Sequence, residues 1–167
     1  VPQKGILFSG TIASNLRYAD ESLSDEKMEE ALSVSQAKEF VDRMPNGVNE
    51  PIAQGGTNVS GGQKQRLSIA RALAKDAQVY IFDDTFSALD YATDAKLRAA
   101  LAELITKKHA TVFIVAQRIS SIMHADKIIV LDQGKMAGIG THEELLKSCE
   151  VYQEIAHSQL SREELGE

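Results

Sequence analysis

The sequence predicts an α/β fold in which parallel strands are flanked by helices and follow a mainly helical region. From residue 78 onward, short apolar runs alternate with longer helical patterns, which is typical of parallel strands joined by crossover helices. Residues 11–43 instead carry three consecutive helical patterns. With 167 residues and a hydrophobic content of 43%, the chain can bury one core.

Each element is predicted from its periodicity and its end signals. Acidic residues in the first turns of the second helical pattern suit its dipole. Turns at residues 45–47 and 54–56, both of which contain glycine, lie between the third helical pattern and the helix predicted from residue 61. The predicted helices cover residues 11–18, 24–36, 37–43, 61–75, 91–106, 141–148 and 151–159, with a short one at 120–123. The predicted strands cover residues 78–83, 111–116, 127–131 and 135–140.

Composition narrows the classes of function. The net charge of −6 gives no basic footprint, which argues against nucleic acid as a partner. Cys149 is the only cysteine, so an internal disulfide is impossible and a reducing compartment fits. The sequence has no apolar run near the roughly 20 residues that a membrane-spanning helix needs.

Residues 58–66 form a glycine-rich turn at the start of the helix predicted over residues 61–75. A helix N-terminus exposes unpaired N–H groups and the positive end of a dipole, which suits an anion such as phosphate. Gly61 and Gly62 lack the Cβ atoms that would keep a phosphate away from the backbone. Ser60 can either cap the helix or turn its hydroxyl to the same phosphate, and a plain helix cap with flexible glycines is the simpler alternative.

A second motif is an apolar run, residues 79–82, that ends in two aspartates. A run this short predicts a strand buried on both faces of a parallel sheet. Asp83 would then lie at the carboxyl end of the strand, where open α/β sheets place ligands, and could hold Mg²⁺ through water beside nucleotide phosphates. Asp84 follows at the position where a catalytic base would touch an attacking water. Alone, the pair could simply be a strand that ends in a polar turn.

With these motifs the chain resembles the nucleotide-binding domain of ABC transporters of the exporter type. The resemblance covers nearly the whole chain, in the order and spacing of the family, including closing segments at residues 125–131 and 140–146. It implies an incomplete P-loop NTPase (RecA-like) sheet flanked by helices, together with the α-helical subdomain of ABC proteins. The implied divisions are a Q-loop segment at 1–10, the helical subdomain with the signature at 11–76, and the C-terminal part of the core at 77–167. The matching motifs are the signature (Ser60, Gly61, Gly62, Gln63), the Walker B strand (residues 79–83), the D-loop (Ser87, Ala88, Leu89, Asp90) and the Q-loop residue Gln3.

The resemblance also implies ligands, partners and residue roles. ATP and Mg²⁺ are the implied cofactors, with Mg²⁺ held by Asp83 through water and by Gln3, and with Asp84, Gln117 and Gln3 as the catalytic residues. The signature would bind the ATP of a second nucleotide-binding domain, and a transmembrane domain of the same transporter would complete the assembly at the cytoplasmic face of the membrane. Exporters usually carry a Glu-Arg pair where this chain has Gln54 and Gly55, which leaves the contact with the membrane domain open.

The phosphate-binding loop G-x-x-x-x-G-K-[ST] is absent from the sequence. We therefore expect a fragment that starts just before the Q-loop, with little affinity for MgATP alone. The same reasoning predicts an unpaired sheet edge and exposed apolar surface.

Two residues depart from the family pattern. Asp84 stands where the family has glutamate, and Gln117 stands where it has the switch histidine. Aspartate is one methylene shorter, which withdraws the carboxylate by roughly 1 Å, and an amide cannot relay a proton. We interpret the chain as the subunit of a heterodimeric exporter whose own site hydrolyses ATP poorly and whose signature completes the partner's site. The alternatives are a homodimer that tolerates both residues and a soluble ABC-type ATPase of DNA repair or chromosome structure, against which the acidic charge argues.

Overall fold

The structure is a computed structural model, and it describes residues 1–161 of the chain. It divides into two compact units, one comprising Val1–Val115 and the other beginning at Ala116. The last six residues of the core domain predicted over 77–167 lie outside the described residues. The two units are described in turn.

Most predicted elements are confirmed to within two residues at each end. The exception is the short helix predicted at 120–123, which is a 3₁₀ turn at Ile119–Ser121; further 3₁₀ turns lie at Gly47–Asn49 and Gln54–Gly56. The helices are α1 (Ile12–Leu16), α2 (Asp25–Val34), α3 (Lys38–Asp42), α4 (Gly61–Ala74), α5 (Tyr91–Lys108), α6 (His142–Ser148) and α7 (Glu150–Gln159). The strands are β1 (Gly10–Thr11), β2 (Pro51–Ile52), β3 (Val79–Asp83), β4 (Thr111–Val115), β5 (Ile128–Asp132) and β6 (Lys135–Gly140).

The first unit contains the predicted parallel pairing. β3 pairs in parallel with β4, with Ile81 opposite Phe113, and α5 forms the crossover between them. Asp90 caps the start of α5 by accepting a hydrogen bond from Thr93 N, and His109 ends the helix in the left-handed conformation. The strand–helix–strand unit therefore places the carboxyl end of β3 immediately before a capped helix.

One expectation for β3 is wrong. Tyr80 and Phe82 are buried, but Val79 and Ile81 on the other face are 51% and 57% exposed. Phe113, in register with Ile81, is 50% exposed on the same face. A continuous apolar run means that both faces of a strand are suited to burial. Each face is buried only where another layer of structure covers it. The described residues of this unit cover one face of the β3–β4 pair.

The helical part of the first unit packs around α4. Because α4 carries buried residues along most of its length, α1 and α2 can both pack against it. A two-residue antiparallel ladder between β1 and β2 closes this region. The buried side chains of these three helices include Ile12, Leu16, Met28, Leu32, Leu67, Ile69 and Leu73.

The second unit is an antiparallel hairpin covered on one face by helices. β5 and β6 pair through a turn at Gln133 and Gly134, and α6 and α7 pack against the hairpin and each other. Cys149 is buried between the two helices, as expected for a small hydrophobe near a helix end. The buried cluster consists of Ile119, Ile128, Val130, Leu145, Cys149, Tyr152 and Ala156.

Within the described residues, the helices are all too short or too polar to cross a bilayer.

Candidate functional site

The start of α4 is a capped and open helix N-terminus. Ser60 Oγ accepts a hydrogen bond from Gln63 N at 3.3 Å, and Gln63 Oε1 accepts one from Ser60 N at 3.0 Å. This reciprocal capping box confirms the helix-capping role of Ser60, and a contact of its hydroxyl with phosphate stays a prediction. Gly61 is exposed, and a Cβ built on it would meet no atom within 4 Å. The space beside the Gly61 backbone is therefore open.

Asn58 fixes the loop that leads into this helix, a role the sequence analysis did not assign. Its side-chain oxygen accepts a hydrogen bond from Ala53 N at 2.9 Å, and its side-chain nitrogen donates one to Pro51 O at 2.8 Å. The available signal was the preference of asparagine for such local side-chain–backbone bonds. Asn58 thus ties the turn before Ser60 to β2.

The segment predicted to be the D-loop lies beside the start of α4. A Cβ built on Gly62 would lie 3.9 Å from Ala88 O. Ser87 Oγ donates to Asp84 O at 2.9 Å, and Leu89 N donates to Phe86 O at 3.0 Å. The structure therefore brings together the glycine turn, this loop and the end of β3.

Asp90 has a structural partner at the end of that loop. The hydrogen bond from Thr93 holds the pKa of the Asp90 carboxyl below its usual value, with a smaller contribution from Arg66. Asp90 is therefore a charged helix cap at neutral pH.

Asp83 and Asp84 occupy the carboxyl end of β3 as predicted, with different environments. Asp83 is exposed. Asp84 is half-buried and adopts a left-handed backbone conformation (φ 44°), and its N–H donates to Val115 O at 2.9 Å. Gln3 Nε2 donates to Asp84 Oδ2 at 2.9 Å. The structure thus places Gln3 directly on the carboxylate that the sequence analysis assigned to catalysis.

The acidic groups at the end of β3 can contribute only part of a metal site. Among the described residues, no cluster of three or more His, Cys, Asp or Glu side chains could hold a metal ion. Mg²⁺ keeps several waters and is commonly bound by one or two carboxylates plus substrate phosphates. Asp83 offers one carboxylate and Gln3 one amide oxygen for such a partial site, and their binding of Mg²⁺ stays a prediction.

Gln65 anchors the segment that carries Gln3, and the sequence analysis missed this residue. Gln65 is buried; its Oε1 accepts from Gly5 N at 2.9 Å and its Nε2 donates to Pro2 O at 3.4 Å. A Cβ on Gly5 would lie 2.7 Å from Ser68 Oγ, so glycine allows the segment to lie against α4. The nearest sequence signal was a polar residue on the inner face of α4, which predicts a buried polar contact.

Arg71 anchors the next part of the same segment. Its Nη2 donates to Ile6 O at 2.7 Å, and its guanidinium lies 4.9 Å from the ring centroid of Phe8. Burial lowers the pKa of the Arg71 guanidinium from its usual value, and the group remains charged at neutral pH. Gly55, in a left-handed conformation (φ 70°), donates from its N to Leu7 O at 3.1 Å. The chain from Gln3 to Phe8 is thus held along the length of α4.

Gln117 lies in the second unit, on the loop after β4, and is exposed. Its carbonyl oxygen accepts a hydrogen bond from Gln159 Nε2 at 2.9 Å. Gln117 and Asp84 belong to different units, and their location on the same side of one nucleotide site stays a prediction.

Comparisons with known proteins connect this arrangement to one family. The sequence profile of the family described as "ABC transporter" matches residues 1–87. An uncharacterized ABC transporter ATP-binding protein of Mycobacterium tuberculosis is 50% identical over 162 residues, which is 95% of this chain and 27% of that protein. An ATP-dependent lipid A-core flippase of Vibrio cholerae is 43% identical over 168 residues, which is 100% of this chain and 28% of that protein.

A solved structure agrees with the fold. The structure of a bacterial Atm1-family ABC exporter with ATP bound matches with a TM-score of 0.88 and 32% sequence identity, over 96% of this chain and 28% of the exporter chain. The chain therefore spans little more than a quarter of the length of these relatives.

Proposed function

The chain belongs to the ABC transporter family, and from this premise we propose that it supplies the signature and the end of the Walker B strand to an ATP-hydrolysing domain of an exporter. The observation that carries the proposal is the open, capped start of α4 beside Ala88. Gly61 leaves the helix N-terminus accessible, and the first N–H groups of a helix are suited to the terminal phosphate of a nucleotide.

The nucleotide at the signature is proposed to be held mainly by a second nucleotide-binding domain. In that arrangement Ser60 keeps the helix start in shape, while Gly61 and Gly62 allow close approach of the phosphate. The residues at the end of β3 serve a different nucleotide, the one bound by this chain's own domain. We propose a helical subdomain at residues 11–76 and a core that continues from residue 77.

Hydrolysis at this chain's own site is proposed to be slow. The Asp84 carboxylate is one methylene shorter than glutamate and is engaged by Gln3 at 2.9 Å. A misplacement of about 1 Å can lower a rate by about 10²-fold. Gln117 could donate a hydrogen bond to a phosphate oxygen but could not carry a positive charge. Mg²⁺, when bound, would screen the phosphate charge, and it would be held in part by Asp83 through water and by Gln3.

The partners and location are proposed on the same basis. A second, different subunit is favoured because Asp84 and Gln117 both depart from the family pattern while the signature does not. A transmembrane domain of the same transporter would couple hydrolysis to export, and the chain would lie at the cytoplasmic face of the membrane.

The first experiment measures ATP hydrolysis by the full-length subunit, purified alone and together with the product of the neighbouring gene. Ser60→Ala removes the capping hydroxyl at the signature. The matched control is Ser24→Ala, since the Ser24 hydroxyl also caps a helix, accepting from Lys27 N at 3.3 Å at the start of α2, without the reciprocal side-chain bond seen at Ser60. Activity that requires the partner and falls at least tenfold in Ser60→Ala, but not in Ser24→Ala, supports the proposal.

The homodimer alternative gives the opposite result. In that case the subunit alone would hydrolyse ATP fully, and Asp84→Glu combined with Gln117→His would raise the rate little. A large gain from the double substitution would instead support a site that is slow because of these two residues. Equal losses in Ser60→Ala and Ser24→Ala would contradict a specific role for the signature.

A further inference from the structure

The loop that carries Gln117 is held by two hydrogen bonds from one side chain at the end of α7, an arrangement that we call the bracket. Gln159 Oε1 accepts a hydrogen bond from Ile119 N at 2.8 Å, and Gln159 Nε2 donates one to Gln117 O at 2.9 Å. The two backbone groups flank Arg118, whose dihedral angles (φ −105°, ψ 126°) are those of an extended residue. A single amide thus binds both backbone groups beside an extended residue, as a neighbouring strand would.

The chemistry of this contact requires glutamine. A primary amide offers an acceptor and donors on adjacent atoms, so it can bind a carbonyl and an N–H at the same time. Glutamate could accept from Ile119 N but would place a charged oxygen against Gln117 O. Leucine has a similar size and could make neither bond. The arrangement is therefore sensitive to changes that barely alter volume.

The helix that carries Gln159 and the residue Ile119 that it contacts are both packed into the buried cluster of this unit. α7 is anchored by Tyr152 and Ala156, which are 2% and 0% exposed. Ile119 is also buried in this cluster, at 2% exposure, so its N–H is held close to the helix. Gln117 itself is exposed and precedes the 3₁₀ turn at Ile119–Ser121. The exposed residue thus sits on a backbone whose position is set by the bracket.

We propose that Gln159 is a positioning residue for Gln117, fixing the backbone from which the Gln117 amide reaches the terminal phosphate of ATP. The inference rests on the proposed function, because it assigns Gln159 to the nucleotide site of that function. It adds a residue far along the chain, on a helix that no sequence motif connects with nucleotide. Loss of the bracket would displace the Gln117 amide without altering any side chain at the site.

The test uses the full-length protein with its partner and compares Gln159→Leu and Gln159→Glu with the wild type. Photoaffinity labelling of this subunit by an azido analogue of ATP, competed with ATP or ADP, gives the ratio of the two affinities. We expect Gln159→Leu to lower the preference for ATP over ADP by about tenfold, the equivalent of one lost hydrogen bond of about 1.4 kcal/mol, with ADP affinity unchanged. Gln159→Glu keeps one of the two bonds and should give an intermediate loss.

A second readout is independent of nucleotide. Hydrogen exchange measured on peptides covering residues 117–122 should become faster in Gln159→Leu, because the Ile119 N–H loses its acceptor. The matched control is Gln153→Leu, on the same helix, where the amide donates to Leu146 O at 2.8 Å. This control should leave both the exchange of residues 117–122 and the ATP preference as in the wild type.

Four results would overturn the inference. Unchanged exchange in Gln159→Leu would mean that the bracket does not hold the loop, and faster exchange with an unchanged ATP preference would mean that the bracket does not serve the nucleotide. An equal loss of preference in Gln153→Leu would assign the effect to helix packing. Absence of labelling in the wild type would remove the proposed function and the inference with it, and the exchange data would still report whether the bracket exists.

Discussion

At the scale of single residues, Gly5 is a position where an added side chain would meet both side-chain and backbone atoms. A Cβ there would lie 2.7 Å from Ser68 Oγ, 2.9 Å from Gln65 Oε1 and 3.1 Å from Lys64 O. The Lys64 oxygen belongs to the backbone of α4 and cannot rotate away as a side chain can. The contact between the Gln3 segment and α4 therefore depends on the absence of a side chain at Gly5.

Gly5→Ala is expected to lower the free energy of unfolding by about 1–3 kcal/mol, because an added methyl group in a closely packed contact forces neighbouring atoms to shift. Urea unfolding followed by circular dichroism measures this. Gly61→Ala is the matched control, since a Cβ there meets no atom within 4 Å, and it should leave stability unchanged or slightly higher. Adding Ser68→Ala should restore part of the loss, and an equal cost for both glycine substitutions would contradict the close-contact explanation.

The residues of the candidate site differ in how far sequence could predict them. Ser60 and Gln63 could be predicted as a helix start because capping depends on residues three apart, whereas a contact of the Ser60 hydroxyl with phosphate stays a prediction. The bond between Gln3 and Asp84 joins residues 81 positions apart, and no local pattern predicts it. Gln65 and Gln159 were missed for the same reason, because their amides bind backbone groups brought near by folding.

At the scale of elements, Asp76 joins three helices. It follows α4 in a left-handed conformation (φ 55°) and accepts from Lys108 of α5 at 2.7 Å and from Lys27 of α2 at 3.5 Å. The hydrogen bond from Lys108 is the main reason that the pKa of the Asp76 carboxyl lies below its usual value, and Lys27 adds to it. Helices that pack through apolar faces are thus also connected by charge at one corner.

Asp76→Asn is expected to lower the free energy of unfolding by about 0.5–1 kcal/mol at neutral pH, since exposed ion pairs contribute little each. Asparagine tolerates the same backbone conformation, so the change removes charge and not shape. The control is Asp42→Asn, whose partner Lys38 lies on the same helix. It should cost less than the loss of a group that joins three helices.

The pH dependence of this pair follows from the direction of the pKa shift. Because the folded pKa of Asp76 is lowered, its contribution is present above the unfolded value of about 3.9 and is lost as pH falls through the folded pKa. The difference between wild type and Asp76→Asn should therefore be constant from pH 7 to about pH 5 and shrink in more acidic solution. A difference that grew on acidification would contradict the assignment.

At the scale of the whole molecule, each unit presents a sheet face that its described residues leave open. On the β3–β4 pair this face carries Val79, Ile81, Phe113 and Val115, each 50–57% exposed. On the β5–β6 hairpin it carries Ile129, Leu131, Met136 and Ile139, which are 52–67% exposed. The sequence analysis expected exposed apolar surface, and the structure confirms it. The expected burial of both faces of β3 was wrong, because an apolar run shows which residues suit a core and not which residues cover them.

The isolated chain is therefore expected to self-associate as its concentration rises. Sedimentation velocity over a concentration series measures this. Ile81→Thr with Phe113→Thr should reduce association while keeping the strands, because threonine suits a sheet. Tyr91→Thr is the control, as Tyr91 is 86% exposed on α5, away from the face. A sharp monomeric profile for the wild type at high concentration would contradict the expectation.

The Gln65 anchor has a mechanical consequence. Helix α4 begins at the proposed signature. Its second turn contacts Pro2 and Gly5 through the side chain of Gln65, and its last turn contacts Ile6 through Arg71. Because α4 is one continuous helix that is hydrogen-bonded to this segment at several points, a displacement of its first turn would also move the segment that carries Gln3. If the proposed function holds and a second domain's nucleotide displaces the first turn of α4, Gln3 would move with the helix and its hydrogen bond to Asp84 would change. Under that proposal, binding at one nucleotide site would alter the geometry of the other site through this one helix.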